Sequence, residues 1–314
     1  MPSVTPVFLF SLPRSGSTLL QRILAAHSAI ATASEPWLLL PLLDSQFGSH
    51  SPVDFGRDQY VQARKDFCAL LPDGQQDYRE AVRRFVLYLY SRASGPSSRY
   101  FIDKTPRYHR IASEIADTFP DGKFIFLWRH PLAIAASMME TWSAGKWNLY
   151  RFEQDLNCGL ANLVSLYRRR EGSVLAVRYE DLLANPEVEV LRILRYLDLP
   201  FERQMVEKFG TVALRGQLGD PTGVKAYSSI STEPMDKWYT MMGNPLRRAW
   251  ARRYIESLEE SDLAAMGYSR GEMLREISGM PASTRHFASD LVRMSIGRLW
   301  PVLGPLEQSL RRRN

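Results

Sequence analysis

Val7-Phe8-Leu9-Phe10-Ser11-Leu12-Pro13-Arg14-Ser15-Gly16-Ser17-Thr18-Leu19-Leu20 is the stretch on which the fold turns. Val7 to Phe10 is an unbroken apolar run, the mark of a strand covered on both faces of a parallel sheet. Pro13 and Gly16 break the extended chain, and Leu19, Leu20, Ile23 and Leu24 then recur at helical spacing. The stretch reads as strand, phosphate loop and helix. Such a loop aims successive backbone N–H groups and the positive end of a helix dipole at one point, which makes an anion site. The backbone at Gly16, the hydroxyls of Ser15, Ser17 and Thr18, and the Arg14 guanidinium are the groups that would grip a compact oxyanion. A nucleotide-kinase loop would carry Gly-Lys-Ser/Thr where this chain has Gly16-Ser17-Thr18, so the lysine that reaches terminal phosphates is absent.

Working outward, three further strands are expected: Arg99 to Ile102, Lys123 to Trp128 and Ser173 to Arg178. Between them lie helical patterns carrying Ile111, Ile115 and Phe119, then a helix opening at Pro131 and running through Ser137 toward Thr141, then Phe152 to Arg170. Pro186–Tyr196 and Phe201–Phe209 are expected as two shorter helices. Strands that alternate with helices predict an α/β fold with a central parallel sheet flanked by helices. Two amphipathic helices, about Gln59–Leu71 and Tyr78–Arg92, interrupt the alternation. The second has Val82, Phe85, Val86 and Leu89 on its expected apolar face. Residues of about 44–97 thus read as an inserted helical cap, a wall for an acceptor. The domain runs over residues 1–282, and 283–314 form a basic, amphipathic tail.

Composition narrows the class. A chain of 314 residues, 45% hydrophobic and 24% charged, is that of an ordinary globular protein with ample core. The net charge of +6 suits an anionic ligand. No Arg/Lys stripe interleaved with stacking aromatics points to nucleic acid. Cys68 and Cys158 lie in no CxxC or Cys/His cluster, so neither a disulfide framework nor a metal is expected. The longest apolar run, Trp37 to Leu43, is too short to span a bilayer and includes Pro41. With no signal segment ahead of the first strand, a cytoplasmic address is the expectation.

The loop resembles the phosphosulfate loop of sulfotransferases that use 3′-phosphoadenosine 5′-phosphosulfate (PAPS), which reads Pro-Arg-Ser-Gly-Ser/Thr-Thr-Leu. In motif pattern the chain is similar to the tyrosylprotein and bacterial-type members, with the nucleotide-kinase-like P-loop fold. The resemblance implies that Arg129 and Ser137 bind the 3′-phosphate of the donor, as Arg-x-Pro followed by Ser at this spacing does in the family. A guanidinium fork and a hydroxyl suit a phosphate dianion. It implies that Lys104, in Asp103-Lys104-Thr105-Pro106, neutralises charge on the bridging oxygen as sulfuryl leaves, a task Arg14 would share. It places the general base at Glu35, eight residues past His27, where tyrosylprotein sulfotransferases carry their glutamate. His27, His109 and His130 are the other candidates.

The likeness continues through Val177-Arg178-Tyr179-Glu180-Asp181-Leu182, where Tyr179 would contact adenine or its phosphate. It extends to a donor-closing loop around Gly219–Val224, whose Lys225 would meet a phosphate. The cytosolic enzymes' Arg-Lys-Gly loop is absent. The reaction implied is sulfuryl transfer from PAPS to a hydroxyl, leaving adenosine 3′,5′-bisphosphate, with a P-loop small-molecule kinase as the alternative. The acceptor stays open among small molecules, glycans, lipids, carrier-bound chains and peptide tyrosine. For the tail the expectation is a helix docked on its own domain or on a dimer mate; the alternative is a peripheral contact with an anionic membrane.

Overall fold

The computed structural model describes residues 4–43, 57–216, 235–297 and 299. Five strands form one parallel sheet: β1 (Thr5–Phe10), β2 (Ile30–Thr32), β3 (Tyr100–Asp103), β4 (Lys123–Trp128) and β5 (Leu175–Arg178), in the order β2-β3-β1-β4-β5. Phe8 stands beside Asp103 on one side and Phe124 on the other, so the strand that leads into the Arg14–Thr18 loop is the centre of the sheet.

The period of two sorts the strand residues into two cores. Phe8, Phe10, Phe124, Phe126 and Trp128 face one way and Val7, Leu9, Ile125 and Leu127 the other. On the first face Phe8 and Phe124 stack at 5.8 Å, and Phe126 and Trp128 at 5.5 Å. This aromatic layer is covered by α4 (Gln75–Ala93), α5 (Ala112–Thr118), α6 (Pro131–Ser143) and α7 (Leu160–Arg169), which follow α1 (Ser17–Ala25), α2 (Leu40–Leu43) and α3 (Arg57–Ala69) in the chain. The aliphatic face is covered by α1, α8 (Tyr179–Ala184) and α9 (Pro186–Leu197).

Four sequence expectations change. The edge strand β2 was not foreseen, because Ile30-Ala31-Thr32 is short and alanine has little strand preference. Pairing with β3 makes it a strand, helped by the Thr32 hydroxyl, which donates to the Ile102 carbonyl at 2.7 Å. In α4 the buried stripe is Val82, Val86 and Tyr90, four residues apart, and Phe85 stands one position off it, half exposed. The helix expected from Phe152 begins instead with a π turn at Asp155–Gly159 before α7. The segment Phe201–Phe209 breaks into Gln204–Glu207 and a 3-10 turn at Phe209–Thr211, with the Glu202 carboxylate turned back to accept from Ser28 N–H and Oγ.

Residues 287–297 are helical and docked on the domain. Asp290 is fully buried, 2.6 Å from Arg247 Nε, and also accepts from Asn244 Nδ2 and Trp147 N–H. Removing one partner of such a pair leaves the other buried and uncompensated, typically at about 3–5 kcal/mol. Asp290→Ala should therefore lower the urea midpoint of the whole domain. An unchanged midpoint would mean that this helix contributes nothing to the fold. No helix among the described residues is long and apolar enough to cross a membrane.

Candidate functional site

In an open parallel sheet, ligands bind outside the carboxyl ends of strands whose connections leave in opposite directions. Here the connection from β1 leads toward β2 on one edge and that from β4 toward β5 on the other. The loops after β1 and β4 therefore face each other across a crevice, and β3 ends beside it.

The loop after β1 is shaped by two left-handed residues, Arg14 (φ 69°) and Gly16 (φ 89°). The second needs glycine twice over, for the backbone angle and because a methyl there would overlap the Tyr179 ring. Gly16 leads straight into α1, whose first N–H groups have no intrahelical partner by geometry and point into the crevice. Ser17 and Thr18 are buried in that first turn. The Ser15 hydroxyl is buried and has no hydrogen-bond partner among the described residues.

Two arginine contacts tie the β1 and β4 loops together. Arg14 Nε donates to Ser137 Oγ at 3.2 Å, and Arg129 Nη1 donates to the Arg14 carbonyl at 2.8 Å. The Arg129 guanidinium lies 4.4 Å over the Tyr179 ring, whose carbons also crowd Gly16. Beyond Ser137 a cleft of about 660 Å³ follows α6, lined by Lys237, Trp238, Arg285 and His286. A volume of that order is in the range of small-ligand sites.

Lys104, the residue after β3, is almost wholly buried. Its Nζ donates to Glu35 Oε1 at 2.7 Å and to Thr18 Oγ1 at 3.4 Å, which joins a carboxylate and an ammonium to the first turn of α1. The other Glu35 oxygen accepts from Trp37 Nε1 at 3.3 Å. Upstream of Glu35, Gln21 on α1 donates to the Ala33 and Ser34 carbonyls at 2.7 and 3.1 Å. That clamp escaped the sequence reading: a glutamine inside an otherwise apolar helix face was its only signal.

Each of the three candidate histidines makes contacts of its own. His27 Nδ1 accepts from Ala29 N–H, and its Nε2 lies 2.9 Å from the Pro200 carbonyl, closing the end of α1. His109 is buried with Nε2 2.7 Å from Asp155 Oδ1. His130 stacks on Trp238 at 4.3 Å and meets Glu276 at 3.1 Å. Arg14, Ser15, Gly16, Ser17 and Thr18 thus lie on one loop and helix start, which Ser137 and Arg129 meet at Arg14, Tyr179 meets at Gly16, and Lys104, carrying Glu35, meets at Thr18. Lys225 and its loop lie outside the described residues.

Comparison with known proteins points to one family. The sulfotransferase family profile matches residues 6–203. The nodulation protein NoeE of Sinorhizobium fredii is 31% identical over 60% of this chain and 48% of its own length, so the chain spans about half of that relative. A putative protein-tyrosine sulfotransferase of Caenorhabditis briggsae is 25% identical over 74% of this chain and 80% of its own. Among solved structures, the sulfotransferase domain from the curacin biosynthetic pathway shares the fold with a TM-score of 0.53 and 24% identity, covering 77% of this chain and 92% of that domain.

Proposed function

This chain belongs to the sulfotransferase family, and we propose that it moves the sulfuryl group of PAPS to the hydroxyl of an acceptor. The observation that carries the reading is the convergence of Arg14, Thr18, Lys104, Arg129 and Ser137 around one crevice, with Glu35 held against Lys104. The residues fit such a donor. The buried Ser15 hydroxyl, without a hydrogen-bond partner among the described residues, and the first-turn N–H groups suit a phosphosulfate. Arg129 and Ser137 would hold the 3′-phosphate.

Bound there, PAPS supplies an activated sulfuryl group whose departure leaves adenosine 3′,5′-bisphosphate. Lys104 and Arg14 neutralise the charge that grows on the oxygen left behind, and a compact ammonium suits a point charge. Glu35 takes the proton of the acceptor hydroxyl. A carboxylate does this well when it is aimed and partly shielded from water, as Glu35 is. The exposed Trp37 ring and the helices before β3 would form the acceptor wall. Nothing in the comparisons favours the kinase alternative.

Adenosine 3′,5′-bisphosphate should stabilise the fold against heat, by about 2.7 kcal/mol at a hundred times its dissociation constant. AMP, without the 3′-phosphate, should do far less. Equal shifts would remove Arg129 and Ser137 from the donor site. Incubation with labelled PAPS and pools of hydroxyl acceptors then tests the transfer itself.

A further inference from the structure

The segment Glu35–Leu39 takes an unusual path. Trp37 has a φ of 54°, and a bulky residue in the left-handed region persists only when its surroundings over-determine it. The surroundings that do so converge on one buried carboxylate. Trp37 N–H donates to Thr105 Oγ1 at 3.3 Å, and Thr105 Oγ1 donates to Asp103 Oδ1 at 3.3 Å. Two residues on, Leu39 N–H donates to the Tyr108 hydroxyl at 3.1 Å, and that hydroxyl donates to Asp103 Oδ2 at 3.0 Å. Tyr90, from α4, donates to the same oxygen.

We propose that Asp103 is a positioning residue that fixes the Glu35 segment, acting through Thr105 on Trp37 and through Tyr108 on Leu39. As a statement about catalysis it rests on the reading of Glu35 as the base. The arrangement follows from strand geometry. Successive residues at the end of β3 point to opposite sides, so Asp103 enters the aromatic core while Lys104 turns to the anion loop. One dipeptide thereby sets both partners of the ion pair: Lys104 directly, and Glu35 by way of the backbone that carries it. Trp37 completes the circuit, since its indole N–H holds the Glu35 oxygen that Lys104 does not. Asp103 is wholly buried, and burial raises its carboxyl to about 6 against the opposing effect of the hydroxyls of Tyr90, Tyr108 and Thr105 and the charge of Lys104. A carboxylate kept there at that cost holds something in place.

The test combines amide hydrogen exchange with turnover. Thr105→Val should speed exchange at the Trp37 amide about ten-fold or more, and Tyr108→Phe that at the Leu39 amide, while amides of α9 stay unchanged. Asp103→Asn should release both; because it could also unfold the protein, the two hydroxyl deletions carry the decision. In the same variants bisphosphate affinity should hold while turnover of labelled PAPS with an acceptor pool falls about ten-fold. Thr105→Ser should restore both readouts, and adding Glu35→Gln should cost little more than Glu35→Gln alone.

Unchanged exchange at Trp37 and Leu39 overturns the proposal. So do faster exchange and normal turnover in a protein that Glu35→Gln inactivates. If Glu35→Gln is itself fully active, the base assignment fails, and the exchange data still decide whether Asp103 clamps the segment.

Discussion

Glu35→Gln is expected to keep adenosine 3′,5′-bisphosphate binding and to lose about a hundred-fold or more in turnover, the usual scale for a missing general base. The substitution preserves shape, and the amide oxygen can still accept from Lys104 or from Trp37. What it removes is the capacity to take a proton. His109, the histidine nearest in sequence to Lys104, is turned toward Asp155. An enzyme that stays active as Glu35→Gln would move the base role to a histidine, with His109→Asn the next variant to measure.

Much of this arrangement was legible in the sequence because the informative signals are local. Strand, loop and helix around Arg14–Thr18 are one continuous string, and Lys104, Arg129 and Tyr179 each follow a strand directly. A parallel sheet places all strand ends on one edge, so naming the strands already names neighbours. Ser137 joins them because two helical turns from Arg129 still face the loop.

What stayed hidden depends on pairings remote in the chain. Ile30–Thr32 is a strand only because β3 lies beside it, 70 residues later, and Gln21 is a clamp only because Ala33 and Ser34 return past α1. Asp103 stood in plain view next to Lys104, yet its partners Tyr90 and Tyr108 come from a helix and a 3-10 turn whose approach no periodicity encodes. Phe85 misled for the opposite reason: its apolar character counted toward a helix face that tertiary packing set one residue away.

The second large effect is expected at Lys104. In Lys104→Met the thioether fills much of the buried slot, so the loop keeps its shape while the site loses its central cation. Donor charge develops mainly as the reaction proceeds, so the loss should fall on turnover more than on bisphosphate affinity. About a hundred- to a thousand-fold is the scale for removing one well-placed electrostatic donor. Lys104→Arg should not rescue it, because a planar guanidinium is larger than the closed slot and spreads its charge.

Stability should answer differently. The single variant leaves the Glu35 carboxylate beside a dry, uncharged neighbour and should be less stable than the parent. Adding Glu35→Gln removes that charge, so the double variant should regain stability while staying inactive. Urea midpoints set beside turnover for the two single variants and the double decide it. A double variant no more stable than Lys104→Met would mean that the ion pair itself holds the crevice together. Recovery without activity would mean that the fold tolerates the pair for the sake of the chemistry.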